Sequence, residues 1–292
     1  MKVAIYGTYD IDKSKHPVEE LFGYLEDNNI EIFVEQQFLK AINALTDVKT
    51  SYKYFKGFED LNNSFNVLIT VGGDGTILKA VTFIRNLNIP ILGINTGRLG
   101  FLATVQKTQI KEAVKALIKG EFIVKQRELL NVKTNTQNFN ALNFALNEVA
   151  INRKDSTSMI IINAYIDGEF LNSYWADGLI IATPTGSTGY SLSCGGPVIT
   201  PSAKSLVVTP IAPHNLNIRP LVIPIDSKIK LQVSGRNNQF LVSLDSRTIT
   251  VEKHTEIYVQ KADFKLKMIQ LNQQTFLKTL RQKMLWGRDT RN

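Results

Sequence analysis

The 292-residue sequence has one cysteine, three histidines and no long apolar run, and each scarcity removes a class of function. Cys194, alone, excludes an intrachain disulfide and a multi-thiolate metal site, and it suits a reducing compartment. His16, His214 and His254 lie far apart without ligand spacing, so no dedicated metal site is expected and any metal arrives with a substrate. No stretch approaches the ~20 consecutive apolar residues of a membrane span, so a soluble chain without a membrane partner is expected. The opening MKVAIYGTYD lacks the apolar core and small-residue cleavage site of a secretory signal, and a cytoplasmic location is the expectation. Arg-rich stripes interleaved with aromatics are missing too. The formal charge of +8 is scattered along the chain and fits a polyanionic small substrate; nucleic acid is not expected as a partner.

What is present divides the chain in two. Short apolar runs alternate with helical spacing over the first ~120 residues, the pattern of a parallel sheet flanked by helices. Strands are expected at Lys2–Tyr6, Ile30–Glu35, Asn66–Val71 and Ile89–Ile94. Helices are expected after Pro17, over Thr76–Leu87 and over Ile110–Ile118, the last ended by Gly120. From Phe122 to Ile269, β-branched and aromatic residues alternate between turn pairs, and Asp167-Gly168 is the strongest hairpin signal. Gln273–Trp286 places Phe276, Leu277, Leu280 and Met284 on one helical face. The expected fold class is therefore α/β plus all-β: a Rossmann-like α/β domain over residues 1–122, a β-sandwich-like domain over 123–270 and a C-terminal helix over 271–292.

The first motif is ITVGGDGT, Ile69–Thr76, between a buried strand and a helix. Gly72, Gly73 and Gly75 let backbone amides approach an anion, and the helix N-terminus adds its positive end, so a phosphate cradle is expected from Gly72, Gly73, Gly75, Thr76 and, from the helix, Lys79. Asp74 is repelled by phosphate there unless it holds a metal or takes a proton; the plainer alternative is that it caps the helix. A Walker A ending is absent. The motif resembles the GGDG signature shared by NAD kinases, diacylglycerol and sphingosine kinases and, more distantly, phosphofructokinases. That resemblance indicates a kinase without indicating its substrate.

The second group of motifs narrows it. LNEVAI with Asn147 and Glu148, ADGLIIATPTGSTGYSLSCGGP from Ala176 to Pro197, NTGRLGF from Asn95, APHNLNIRPLVIP from Ala212 and SLDSR from Ser243 together resemble the NAD kinase family. On chemistry alone, TPTGSTGYSLS sets six Ser and Thr hydroxyls and two glycines after a strand, a surface suited to ribose and pyrophosphate or, more simply, a polar solvent loop.

The resemblance implies phosphoryl transfer from ATP to the adenosine-side 2′-hydroxyl of NAD. Asp74 would be the general base, Mg²⁺ or another divalent ion would be carried with ATP, and NAD would lie between the two domains. Implied NAD contacts are Asp74, Gly75, Asn147, Glu148, Asp177, Thr188, Gly189, Tyr190, Ser191, Leu192, Ser193 and Ala212. Homodimers or homotetramers are implied as well. Two departures stand out: Gly189 replaces the usual alanine, and Ser246-Arg247 replaces the frequent Gly-Gln, so Arg247 is assigned no nucleotide contact. Cys194 reads as a packing residue. A lipid kinase and a non-catalytic dinucleotide sensor are the competing readings, the first disfavoured by the NE and DGLIIATPTGSTGY motifs, the second by the presence of Asp74.

Overall fold

A computed structural model describes residues 1–8, 15–45, 51–136, 142–154, 158–236, 238–272 and 274–286, in two compact units. Unit 1 comprises Met1–Gln126 and Leu266–Asn292; unit 2 comprises Arg127–Lys265.

In unit 1 the chain runs β1 (Lys2–Gly7), α1 (Lys15–Asp27), β2 (Glu31–Glu35), α2 (Gln36–Leu45), β3 (Lys53–Phe55), β4 (Val67–Val71), α3 (Asp74–Ile84), β5 (Ile91–Asn95), β6 (Val105–Gln106) and α4 (Ile110–Lys119). The strands pair in parallel in the order β3-β2-β1-β4-β5, with β6 alongside the end of β5. Wholly buried β4 and β5 carry near-continuous apolar side chains, as central parallel strands do. α1 buries Val18, Leu21, Phe22 and Leu25, the stripe its spacing predicts. Gly120 ends α4 with φ 69, where a side chain would be strained. α3 departs from expectation: it starts two residues early, at Asp74, and stops at Ile84 because Arg85 turns to φ 42. α2 was not expected from the sequence.

Unit 2 takes up β7 (Phe122–Thr134) at Arg127 and continues through β8 (Phe144–Ala145), β9 (Glu148–Arg153), β10 (Ile160–Ile166), β11 (Glu169–Ala176), β12 (Gly178–Ala182), α5 (Tyr190–Ser193), β13 (Ser205–Ile211), β14 (Leu221–Pro224), β15 (Ile229–Ser234), β16 (Gln239–Leu244), β17 (Arg247–Glu252) and β18 (Glu256–Leu271). Six antiparallel strands form one sheet in the order β14-β13-β12-β9-β16-β17. β10, β11 and β15 pair antiparallel with the first part of β18 in a second sheet. Alternate residues of both sheets, among them Ile151, Ile162, Ile181, Leu231, Val242 and Ile257, share one buried core, the sandwich-like arrangement expected. The β10–β11 turn has φ 52 at Asp167 and φ 91 at Gly168, the two positive angles a type I′ hairpin needs.

The chain returns to unit 1 within β18, where Met268 pairs in parallel with Ile91, and ends in α6 (Phe276–Met284). Here a sequence expectation fails in detail. α6 buries Thr279 and Leu280, whereas Leu277 and Met284 are exposed; the first residue of the expected helix, Gln273, lies outside the described residues. Among the described residues no helix is long and apolar enough to cross a membrane.

Candidate active site

The glycine loop of unit 1 is built around Thr76. Gly72 has φ 151, and a Cβ there would lie 2.2 Å from the Thr76 hydroxyl, so no other residue fits. Gly73 and Gly75, by contrast, face open space, which leaves the backbone at the start of α3 approachable by an anion. Lys79 is exposed further along α3.

Asp74 is not the helix cap; Gly73 is, without a side-chain bond. The half-buried Asp74 carboxylate instead reaches a distant loop: Oδ2 accepts from the Phe101 amide at 2.8 Å, and Oδ1 accepts from Leu102 at 3.0 Å and Ala103 at 2.9 Å. Three amide dipoles thus compensate a negative charge that sequence alone made hard to place beside phosphate. NTGRLGF supplies this loop. Asn95, buried, accepts from the Gly97 amide at 2.8 Å and donates to the Arg98 carbonyl at 2.8 Å and the Ala103 carbonyl at 3.3 Å. Gly100 gives the carboxylate its room, since a Cβ there would lie 1.9 Å from Oδ1.

In unit 2 the expected dinucleotide contacts cluster about β9 and the turn after β12. Asp245 accepts at Oδ2 from the Leu146 amide at 2.8 Å, and at Oδ1 from Asn147 at 2.7 Å and Glu148 at 3.2 Å. The same segment is held from the other side. Thr183 donates to the Leu146 carbonyl at 2.6 Å, and its amide donates to the Asn147 carbonyl at 2.9 Å. Gly186 packs so closely that a Cβ would lie 2.0 Å from that carbonyl. Thus fixed, Asn147 and Glu148 each keep a buried oxygen, Oδ1 and Oε2, without a hydrogen-bond partner. Unsatisfied buried polar atoms are costly, and a ligand would complete these two: Asn147 Oδ1 by donating to it, and the Glu148 carboxyl by donating to it or, where it is protonated, by accepting from it. Burial, and secondarily the Asp245 charge, push the Glu148 carboxyl up to about 8 against the opposing Tyr190 amide, so Glu148 carries a proton at neutral pH. Burial also raises Asp245, against its three amides and Arg247.

The hydroxyl-rich turn is only partly a surface. Thr183, Ser187 and Ser191 are fully buried and bonded within the protein, Ser187 to the Pro184 carbonyl at 2.8 Å and Ser191 with the Thr209 hydroxyl at 2.8 Å. Thr188, Gly189, Tyr190, Leu192 and Ser193 retain exposure. Asp177 forms an ion pair with Arg153 at 3.1 Å, a partner within its own chain. The neighbouring Ala212 is exposed with φ 44, a conformation that costs a non-glycine residue about 1–2 kcal/mol. Cys194 packs against Ala150, Ile180, Ala182 and Val207, and burial raises its thiol, as suits a packing residue. Among the described residues no three His, Cys, Asp or Glu side chains group as metal ligands.

Profiles of the ATP-NAD kinase N-terminal and C-terminal domains match residues 4–122 and 146–271. The chain belongs to the ATP-NAD kinase family. It is 52% identical to an NAD kinase of Christiangramia forsetii, with 100% of both chains covered. Among solved structures, an NAD kinase from Archaeoglobus fulgidus in complex with ATP is 27% identical at a TM-score of 0.76, covering 98% of this chain and 99% of that one. Yeast NADH kinase complexed with NADH has a TM-score of 0.89 at 23% identity, over 99% of this chain and 88% of that one, which is a likeness of fold. Phosphorylation of NAD with ATP is the reaction of the family, and the kinase carries both its domains.

Sequence reasoning missed how the kinase supports these residues. In the sequence Asp245 and Gly100 stand only as parts of motifs, and nothing there gives Arg247 a role. Arg247 donates to the Leu142 carbonyl at 2.7 Å and to the Phe144 carbonyl, with its guanidinium 5.0 Å from the Phe144 ring centroid. It holds the approach to Asn147.

Proposed function

We propose that this kinase transfers the terminal phosphate of ATP to the adenosine-side 2′-hydroxyl of NAD with Asp74 as general base. The count of lone pairs on Asp74 carries the reading. Oδ1 already accepts two amides and Oδ2 only one, so Oδ2 is the oxygen with capacity for a hydroxyl proton, and the amides hold it in direction. As that proton passes to Oδ2, the 2′-oxygen bonds to the γ-phosphorus, the bridging bond to the β-phosphate breaks, and ADP departs.

Gly72, Gly73, Gly75, Thr76 and Lys79 contact phosphate, and Asp74 and Gly75 contact the adenosine ribose. Mg²⁺ or another divalent ion enters as part of the ATP substrate and offsets phosphate charge. NAD is further held by Asn147, Glu148, Asp177, Thr188–Ser193 and Ala212. The unpartnered oxygens of Asn147 and Glu148 support this assignment, as does the strained backbone of Ala212. Ser191 contributes by holding the turn, because its hydroxyl is engaged with Thr209. A cytoplasmic homodimer or homotetramer is part of the same reading, testable by sedimentation of the purified chain.

The test is NADP formation from NAD, ATP and Mg²⁺, followed with an NADP-specific dehydrogenase, for the parent and Asp74→Asn. The variant is expected to lose at least ~10²-fold in kcat while binding NAD as before. A variant within a few-fold of the parent removes Asp74 as the base, and a parent that binds NAD but makes no NADP with any phosphate donor removes the reaction.

A further inference from the structure

The loop that grips Asp74 is itself gripped from the other end of the chain. Thr104, next to the last of the three amides, is bonded twice by one side chain. Its hydroxyl donates to Gln274 Oε1 at 2.7 Å, and Gln274 Nε2 donates to the Thr104 carbonyl at 2.8 Å. Phe101, which carries the first of the three amides, is held by α6. Its ring centroid lies 6.3 Å from that of Phe276, and the Lys283 ammonium lies 4.9 Å from it. Thr275, between Gln274 and Phe276, caps α6 by accepting from the Lys278 amide at 3.2 Å. Buried Thr279 and Leu280 then anchor the helix in unit 1.

A two-point amide contact fixes orientation as well as distance, because losing either bond leaves a polar group unpaired. Asn95 fastens the same loop at Gly97, Arg98 and Ala103, and Leu102 and Ala103 are buried; Phe101 and Thr104, at its two ends, are where the C-terminal segment adds its own hold on the three amides. We infer that Gln274 and Phe276 are positioning residues for the phosphoryl transfer, setting through Thr104 and Phe101 the amides that aim Asp74. The inference rests on Asp74 being the base. It makes the C-terminal segment part of the catalytic apparatus, although it touches no substrate.

The experiment uses the full chain and two variants that keep side-chain bulk, Gln274→Met and Thr104→Val, with Leu277→Ala as a control on an exposed position of α6. Misplacement by about 1 Å can cost up to ~10²-fold in rate, so each variant is expected to lose about tenfold or more in kcat. KM for NAD should stay within about twofold, and Leu277→Ala should match the parent. Each is then combined with Asp74→Asn. A residue that acts through Asp74 adds nothing once the base is gone, so the double variants should be no slower than Asp74→Asn alone. An unchanged kcat, a loss shared by Leu277→Ala, or a loss that multiplies in the Asp74→Asn background overturns the inference. An inactive parent refutes the parent reading and is distinguishable from all three.

Discussion

Asp74 and Asp245 do the same thing in different surroundings. Each carboxylate accepts three successive backbone amides with a two-and-one division between its oxygens, Asp74 from residues 101–103 and Asp245 from residues 146–148. Asp74 is half-exposed at the start of a helix, with one oxygen still able to accept. Asp245 has a side chain only 3% exposed, a backbone at φ 53, and Arg247 3.9 Å away. On the proposed reading, the same grip fixes a reacting group in unit 1 and a scaffold in unit 2. Access decides which, and the buried aspartate has a second effect: its charge helps keep the proton on Glu148.

The largest effect should come from disturbing the exposed grip. Gly100→Ala would put a methyl 1.9 Å from Asp74 Oδ1 and 2.6 Å from Cγ, and the carboxylate cannot yield without leaving its amides. A fall of about 10²-fold in kcat is expected, with NAD binding kept, by steady-state kinetics and titration. Were kcat unaffected, the grip on Asp74 would be scaffold only, and the contrast with Asp245 would vanish.

The buried side is tested through pH. Glu148 has a folded value of about 8 against an ordinary 4.5, so between those limits the folded state holds a proton that the unfolded state has released. Raising pH through that window favours unfolding, by up to about 1.4 kcal/mol per pH unit, and the effect levels off above the folded value. Glu148→Gln cannot release the proton. Urea melts at pH 5, 6, 7 and 8 should show the parent losing stability relative to this variant as pH rises. Parallel curves would mean that Glu148 is ionised in the fold, and that Asp245 has no part in its protonation.

The same contrast marks what the sequence made legible. GGDGT and the alternation around it locate the loop, the strand before it and the helix after it, because these features are local. How Asp74 is held is not local: its partners are 27 to 29 positions away, and those of Asp245 are 97 to 99 away. A side chain bonded to a backbone leaves no periodicity and no residue-type signal at the other end. α2 follows β2 without a breaking residue, yet Phe38, Leu39 and Ile42, which it buries, stand at helical spacing, so its signal is also a local one. In α6 the spacing gave an apolar face, but Leu277 and Met284 turn outward while Thr279 turns in. Composition made the 183–193 turn look like a surface of hydroxyls, when four of them, on Thr183, Ser187, Thr188 and Ser191, are engaged within the protein.

The smallest effect should come from the second glycine of the comparison. A Cβ at Gly189 would lie 2.9 Å from Glu148 Oε2, 3.2 Å from the Gly186 carbonyl and 3.3 Å from Asn147 Nδ2, tight but far less so than at Gly100. The nearest atom, Glu148 Oε2, is the tip of its side chain and itself accepts no hydrogen bond, so it can give way more readily than Asp74, whose oxygens hold three amides. Gly189 has φ −95, so alanine meets no left-handed penalty there. Gly189→Ala should therefore move Glu148 by a few tenths of an ångström, raise KM for NAD by about two- to fivefold and leave kcat within about twofold. A large fall in kcat would mean that Glu148 is held as tightly as Asp74, and that rigid carboxylates are needed in both units rather than in one.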